Sequence, residues 1–413
     1  MKKNKVQNLQ NKELDMEVKA KIFGKDIGVL SQKNGGYFFQ YFNSFLETKL
    51  EISPFYLPLS PRVFSGREFM AFELIPSVFA DSLPDSFGYK LMAEYFSYHD
   101  NSYEAMKNPL QKLSYMGDRA IGAISYEPIL RDSQKSIALE LREYIKNTRK
   151  IIEGSSSDVI KELCATPSPG GARPKAFISW DRKNDHLLVG KTKEGYEEWI
   201  VKFYENDKLH KDLTKIEYIY FQIAKNLGLN TPNFDKILDE DEFHFAVKRF
   251  DREAGKKLHI HTLSGLLNKR FDERGVFTYE ELLKVTLRLT NNFQDVEEAY
   301  KRMVFNVIGK SCDDHAKNFS FIMTEDGKWK LAPVYDIVYS FGGSIYQEHF
   351  LSVRSKTMDI TDHDMILLAI ENGISKSKAK EIIQNTKDAF SDFYRFAKNL
   401  DIDKEIISQV KIC

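Results

Sequence analysis

The stretch from Arg302 to Ser340, RMVFNVIGKSCDDHAKNFSFIMTEDGKWKLAPVYDIVYS, restricts the fold more than any other part of the chain. Apolar residues at three-to-four spacing predict an amphipathic helix that ends near Gly309. A polar loop, CDDHAKN, follows, and FSFIM and KWKLAP then read as two strands joined by a tight turn at Glu325-Asp326-Gly327. A hairpin in this place carries Asp336 back beside Asn318. Asp313, Asn318 and Asp336 are therefore expected to converge, although the last two are far apart in sequence.

Such a set suits phosphoryl transfer. The attacking hydroxyl must be oriented by a carboxylate, while an amide oxygen and a second carboxylate hold the magnesium that bridges the phosphates of ATP. The D-x-x-x-x-N spacing of protein-kinase catalytic loops does this, with a later Asp as metal ligand. Asp313 and Asn318 reproduce that spacing. By itself the pair also fits ordinary loop or capping residues. Asp314 competes for the role of base, and the five-residue offset favours Asp313.

A nucleotide side is visible upstream. Residues 166 to 178, TPSPGGARPKAFI, form a small-residue loop leading into a strand, where Gly170 and Gly171 would let backbone amides approach phosphate oxygens. The loop is neither G-x-G-x-x-G nor a Walker motif and is compatible with a plain surface turn. In EEWIVKFYE, Lys202 alternates with apolar residues on a strand, as a solvated lysine or as one that pairs with phosphate. FHFAVKRFDR is a further strand running into a loop. Its end, Lys248 to Phe250, is where a hinge between two lobes would offer backbone groups to an adenine edge.

Composition bounds the remaining possibilities. The 413 residues exceed one ordinary core and suit two or three packed units. With 42% hydrophobic and 29% charged residues and no apolar tract of membrane-spanning length, a membrane span is not expected. The polar start MKKNKVQNLQNKELDMEV argues against a secretory signal and for a cytoplasmic protein. Sixty basic residues balance sixty acidic ones, so the chain lacks the net positive field of sequence-independent nucleic-acid binding. Cys164, Cys312 and Cys413 fit neither a disulfide framework nor a metal site. His259 and His261 lack the companions a tetrahedral metal site needs and are read as structural.

Segment character divides the chain. Residues 17 to 75 carry strand-and-turn patterning, with VKAKIFG, GYFFQYF and REFMAFELI as strands. Helices are expected over 83 to 97, 136 to 153 and 212 to 227, the last capped by Gly228. A second strand-rich stretch begins at GDRAIGAISYEP, 117 to 128, and the half beyond residue 260 reads as mostly helical.

In this order, the motif blocks resemble the HipA family of bacterial toxin kinases. They are SPGGARPKA at 168 to 176, IVKF at 200 to 203, VKRFDR at 247 to 252, HTLSGLL at 261 to 267, DDHAKNFSF at 313 to 321 and LAPVYD at 331 to 336. FADSLPDSFGYKLM at 79 to 92 and GDRAIGAISYEP are similar to blocks of the family's N-terminal part. The resemblance covers roughly residues 60 to 340.

It implies an α/β (α+β), two-lobed protein-kinase-like fold with a β-rich N-terminal region at 1–110, a nucleotide-binding lobe at 111–250 and a helical lobe at 251–413. It implies Asp313 as catalytic base, Asn318 and Asp336 as magnesium ligands and Lys202 as the ATP-contacting lysine. His315 and Lys317 match the same active loop, and Tyr335 the nucleotide pocket. Gly170, Gly171, Ala172, Arg173 and Lys175 match the phosphate loop, and Lys248, Arg249 and Phe250 the hinge. Ser168 matches a serine whose autophosphorylation displaces that loop, a reasonable effect for about two added negative charges beside the ATP site.

The resemblance further implies ATP and Mg2+, serine/threonine specificity and growth arrest through a translation component such as an aminoacyl-tRNA synthetase. The implied partner is a small helix-turn-helix antitoxin of HipB type, through which DNA is met indirectly. Two departures stand out: Lys248 falls where the family commonly has an acidic residue, and Ser311-Cys312 replaces Asn-Thr before the base. Cys312 is either a buried inert thiol or a point of oxidative inhibition. A small-molecule kinase of aminoglycoside or choline type would use the same residues. A pseudokinase serving as a binding module is the non-enzymatic alternative.

Overall fold

The computed structural model describes residues 16–84, 86–99, 103–130, 141–152, 175–190, 193–203, 208–239, 242–342 and 347–412. The expected phosphate loop, with Ser168, Gly170, Gly171, Ala172 and Arg173, lies outside these residues.

The chain begins with strands β1 (Met16–Ile22), β2 (Lys25–Lys33) and β3 (Gly36–Tyr41), which form an antiparallel meander. The turns that join them place Gly24 and Gly35 at φ near +74°, where only glycine is unstrained. A short β4 (Phe64–Ser65) closes one edge. The REFMAFELI segment is then not a strand. Ser65 and Glu68 form a capping box that starts a 3-10 turn over Gly66–Phe72, because reciprocal side-chain caps satisfy the first amides better than an isolated edge strand would.

Helix α1 (Ser86–His99) and helix α2 (Pro109–Met116) follow, the latter capped by Asn108 with Pro109 at its first position. The GDRAIGAISYEP block yields only β5 (Ser125–Glu127), which pairs with β1 and so belongs to the first sheet. Val18, Leu30, Phe39, Phe64, Phe79 and Tyr126 lie in its core.

Helix α3 (Leu141–Ile152) introduces the middle sheet, with strands β6 (Lys175–Asp181), β7 (His186–Val189), β8 (Glu197–Lys202), β9 (Phe234–Asp239) and β10 (Glu242–Lys248) in the order β7-β6-β8-β10-β9. Every pairing is antiparallel. Strand alternation gives its faces separate duties. Ile178, Trp180, Trp199, Val201 and Ala246 pack with Tyr144 and Ile145 of α3. On the opposite face, Lys175, Lys202 and Phe245 are cross-strand neighbours, as are Phe177, Ile200 and Val247.

Helix α4 (Lys208–Asn226) connects β8 to β9 and ends where Gly228 takes φ +69°. Its Ile216, Tyr220 and Phe221 share the largest core with Phe245, Phe305 and Phe390. Although α4 lies in the strand-rich half of the sequence, it is packed into the helical region.

That region contains β11 (His259–Thr262), helix α5 (Leu263–Leu267), helix α6 (Tyr279–Thr290) and helix α7 (Phe293–Ile308). Its expected hairpin is present as β12 (Ser320–Met323) and β13 (Trp329–Leu331). Phe321 faces Leu331, and Gly327 at φ +81° makes the turn. Strand β11 adds to the other edge of β12. Among the described residues, no helix is long and apolar enough to cross a membrane.

Candidate active site

The three units share one cavity of about 750 Å3. The middle sheet contributes Lys175, Phe177, Ile200, Lys202 and Val247, the last three held on one face by the pleat described above. The hinge segment supplies Lys248, Arg249 and Phe250, and the loop after α7 supplies Asp313, His315, Lys317 and Asn318. Tyr335 and Asp336 arrive from the hairpin, so every expected site residue within the described part of the chain lines this space.

Lys202 is the electrostatic centre. Its Nζ lies 2.5 Å from Glu217 Oε1 and 2.6 Å from Asp336 Oδ1. Burial pulls the ammonium pKa down, but the Asp336 and Glu217 carboxylates outweigh burial and raise it, so the charge is retained. Glu217 was not singled out in the sequence. Its signal was present: it sits on the helix that follows the lysine strand, one turn before Phe221, and both face the cavity.

The loop from Ser311 to Asn318 treats its adjacent aspartates oppositely. Asp313 is exposed to the cavity. Asp314 is buried, accepts from Tyr279 Oη at 2.5 Å and from the Phe350 amide at 2.7 Å, and pairs with His349 Nδ1 at 2.8 Å. Burial disfavours the charged imidazole, yet Asp314 overrides this and pushes the His349 pKa up to about 10. The sign follows from linkage: the pair's contribution is complete below the ordinary histidine value and is lost as pH rises toward 10. The stability difference between wild type and His349→Gln, measured by urea unfolding, is expected to shrink between pH 7 and pH 10.

Ser311 and Cys312 are both tied into the loop by hydrogen bonds. Ser311 Oγ accepts from the Val338 amide at 3.2 Å, and the Cys312 amide donates to Ser340 Oγ at 2.9 Å. The Cys312 thiol is fully buried, which favours the inert alternative.

Asn318 Nδ2 donates to the Asp313 carbonyl at 2.8 Å. This bond ties the two ends of the D-x-x-x-x-N loop and leaves the Asn318 amide oxygen as a metal donor. Tyr335 Oη donates to the Lys317 carbonyl at 2.6 Å and accepts from Ser320 at 2.5 Å, which fixes the residue before Asp336 against the loop. Asp336 itself has φ +56°, a strained conformation that aspartate tolerates better than most residues. One carboxylate and one amide oxygen form a hard, oxygen-only donor set that suits Mg2+, which takes few protein ligands and completes its shell with water and phosphate.

At the hinge, the Lys248 amide donates to the Asn233 carbonyl and the Arg249 amide to the Glu198 carbonyl, so these two N–H groups are already committed. Phe250 faces Tyr335 with ring centroids 5.6 Å apart. Lys248 Nζ pairs with Glu197 at 2.6 Å. The Arg249 guanidinium is held by Asp251 at 2.6 Å and stacks over Phe177. The His259 and His261 rings are both hydrogen-bonded, to the Ile52 carbonyl and to Ser53 and Asp81.

Comparison with known proteins places this geometry. Residues 167–393 match the family described as HipA-like C-terminal domain, and residues 18–127 match the HipA N-terminal domain. A Haemophilus influenzae protein named for a kinase is 30% identical over 211 residues, which are 48% of this chain and 58% of that protein. The serine/threonine-protein kinase toxin HipA of Shewanella oneidensis is 26% identical over 192 residues, 41% of this chain and 42% of that one. The matches thus span about half the length of these relatives. A solved structure of the Shewanella oneidensis HipA, HipB and operator DNA complex superposes with a TM-score of 0.69 and 18% identity, covering 95% of this chain and 94% of that chain. That likeness establishes the fold.

Proposed function

Because the chain belongs to the HipA family, we propose that it is an ATP-dependent serine/threonine protein kinase and the toxin of a type II toxin–antitoxin pair. The observation that carries this reading is the shared cavity in which Asp313 and Asn318, on one tied loop, face Asp336 and the buried Lys202–Glu217 pair.

In this reading Lys202 grips phosphate oxygens of ATP, and Glu217 keeps its ammonium directed into the cavity. Asp313 accepts the proton of the acceptor hydroxyl as that oxygen bonds to the γ-phosphorus and the bond to ADP breaks. Asn318 and Asp336 would hold magnesium, which would supply neutralisation of the charge on the phosphates. By the family resemblance Gly170, Gly171, Ala172, Arg173 and Lys175 serve as the phosphate-binding segment, and Tyr335 and Phe250 line the base pocket. The region 111–250 binds nucleotide, 251–413 supplies the base and metal ligands, and 1–110 is the family's N-terminal subdomain.

The acceptor is a protein serine or threonine on a translation component such as an aminoacyl-tRNA synthetase. Phosphate on Ser168 silences the enzyme. A helix-turn-helix antitoxin of HipB type restrains it in the cytoplasm and brings it to operator DNA.

Incubating the protein with γ-labelled ATP and Mg2+ tests this directly. Label is expected on Ser168, identified by mass spectrometry and lost in Ser168→Ala. Label only on added aminoglycoside or choline would identify a small-molecule kinase, and ATP binding without transfer would identify a pseudokinase.

A further inference from the structure

We propose that Asp81, contributed by the N-terminal unit, is a positioning residue for both metal-holding side chains. It clamps the segment from which Asn318 and Asp336 are suspended. The inference rests on the proposed phosphoryl-transfer site and concerns a residue that lines the same cavity without being one of its proposed base, nucleotide or metal groups.

Three donors converge on the Asp81 carboxylate. Oδ2 accepts from the Thr262 amide at 2.8 Å and from His261 Nδ1 at 2.7 Å, while Oδ1 accepts from Thr262 Oγ1 at 2.9 Å. A carboxylate can only accept, so Nδ1 of His261 carries a proton, and Ser53 Oγ lies 2.9 Å from its Nε2. Burial disfavours the Asp81 charge, but the His261 and Thr262 donors hold its pKa below the ordinary carboxylate range, with Lys317 of the active loop assisting. The approach is close: a Cβ on Gly265 would stand 2.5 Å from Asp81 Oδ2, so this glycine leaves room for the carboxylate.

From this clamp two short paths lead to the metal ligands. Thr262 lies opposite Ser320 in the β11–β12 ladder, and the Leu263 amide donates to the Phe319 carbonyl at 2.8 Å, adjacent to Asn318. Ser320 donates to Tyr335, which immediately precedes Asp336. Asn318 is therefore one residue from a group held by Leu263, the neighbour of Thr262, and Asp336 is one residue from a group held by Ser320, the strand partner of Thr262. A second N-terminal contact, Ser77 Oγ to the Gly265 carbonyl at 2.7 Å, braces the same turn. The paired strands transmit position through a hydrogen-bonded ladder that has no slack for a one-residue slip.

A residue that merely stabilised the fold would alter melting without altering metal use. The measurement is therefore calorimetric affinity for ATP, with and without Mg2+, on full-length wild type, Asp81→Asn and Asp81→Ala, beside thermal melting and transfer rate. Asparagine retains two acceptor contacts and the shape. In Asp81→Ala the Mg2+-dependent gain in ATP affinity is expected to fall about tenfold or more while metal-free ATP affinity is kept, and in Asp81→Asn, which loses the acceptor facing Thr262 Oγ1, it is expected to fall about threefold. Equal Mg2+-dependent gains in all three proteins overturn the inference. So does an Asp81→Ala protein that fails to fold beside an Asp81→Asn protein of lower melting temperature and unchanged metal response. Wild type that binds Mg2+–ATP but transfers no phosphate sinks the kinase reading alone, because the binding comparison still decides the role of Asp81. Wild type without any Mg2+-dependent gain overturns both.

Discussion

Replacing Asp313 by alanine is expected to lower the rate of γ-phosphate transfer about a thousandfold while leaving the thermal unfolding of the protein unchanged. General-base side chains contribute on the order of a hundred- to ten-thousandfold, and a kinase base works by orienting its acceptor hydroxyl as much as by taking its proton. The structural side of the expectation follows from where the loop is tied. Asn318 holds the Asp313 backbone carbonyl, and removing the carboxylate leaves that bond in place. Because Asp313 is exposed in the cavity, its truncation creates no buried void. Affinity for Mg2+–ATP is expected to persist, since Lys202, Asn318 and Asp336 remain. Initial rates with labelled ATP, compared with calorimetric nucleotide binding, provide the check. A rate within tenfold of wild type would place the base elsewhere.

The substitution of its neighbour should act in the opposite sense. Asp314→Ala is expected to destabilise the protein by about 3–5 kcal/mol, the usual cost of removing one partner from a buried ion pair. The loss leaves the His349 imidazolium without its counter-charge and strips acceptors from Tyr279 Oη and the Phe350 amide. Asn306 Nδ2, which donates to Tyr279 Oη at 3.1 Å, belongs to the same network and is expected to be disturbed with it. Urea unfolding followed at 222 nm measures the effect. A loss under about 1 kcal/mol, as at a typical surface position, would show that the network does not support the loop. Together the two variants separate chemistry from scaffolding at consecutive residues.

This contrast marks what could be read from the sequence. The hairpin that brings Asp336 to the loop was legible because its strands, turn glycine and apolar alternation are local features. The offset to Asn318 distinguished Asp313 from Asp314, but the task of Asp314 was not legible, since its partners lie 35 and 36 residues away. Glu217 was hidden for a related reason. A glutamate on an amphipathic helix reads as a solvated face until the sheet that carries Lys202 is laid over it. The REFMAFELI segment misled through alternation alone, because the Ser65–Glu68 cap that turns it into a 3-10 helix lies at its front edge. At the hinge, sequence located the segment but not the commitments of its Lys248 and Arg249 amides, which depend on Asn233 just before β9 and on Glu198 of β8.

Helix α4 has a mechanical consequence. Tyr220 meets Phe305, Phe390 and Phe393 edge-on, and its hydroxyl donates to the Gly309 carbonyl, so the helix is anchored to the helical lobe even though it is threaded between two strands of the sheet. The same helix is riveted to the sheet, because Thr214 Oγ1 donates to the Phe243 carbonyl at 2.8 Å and Tyr218 meets Phe234, Phe243 and Phe245 edge-on. Any displacement of the sheet against the helical lobe must work against both sets of contacts, and the Lys202–Glu217 pair, which joins β8 to α4, lies on that seam.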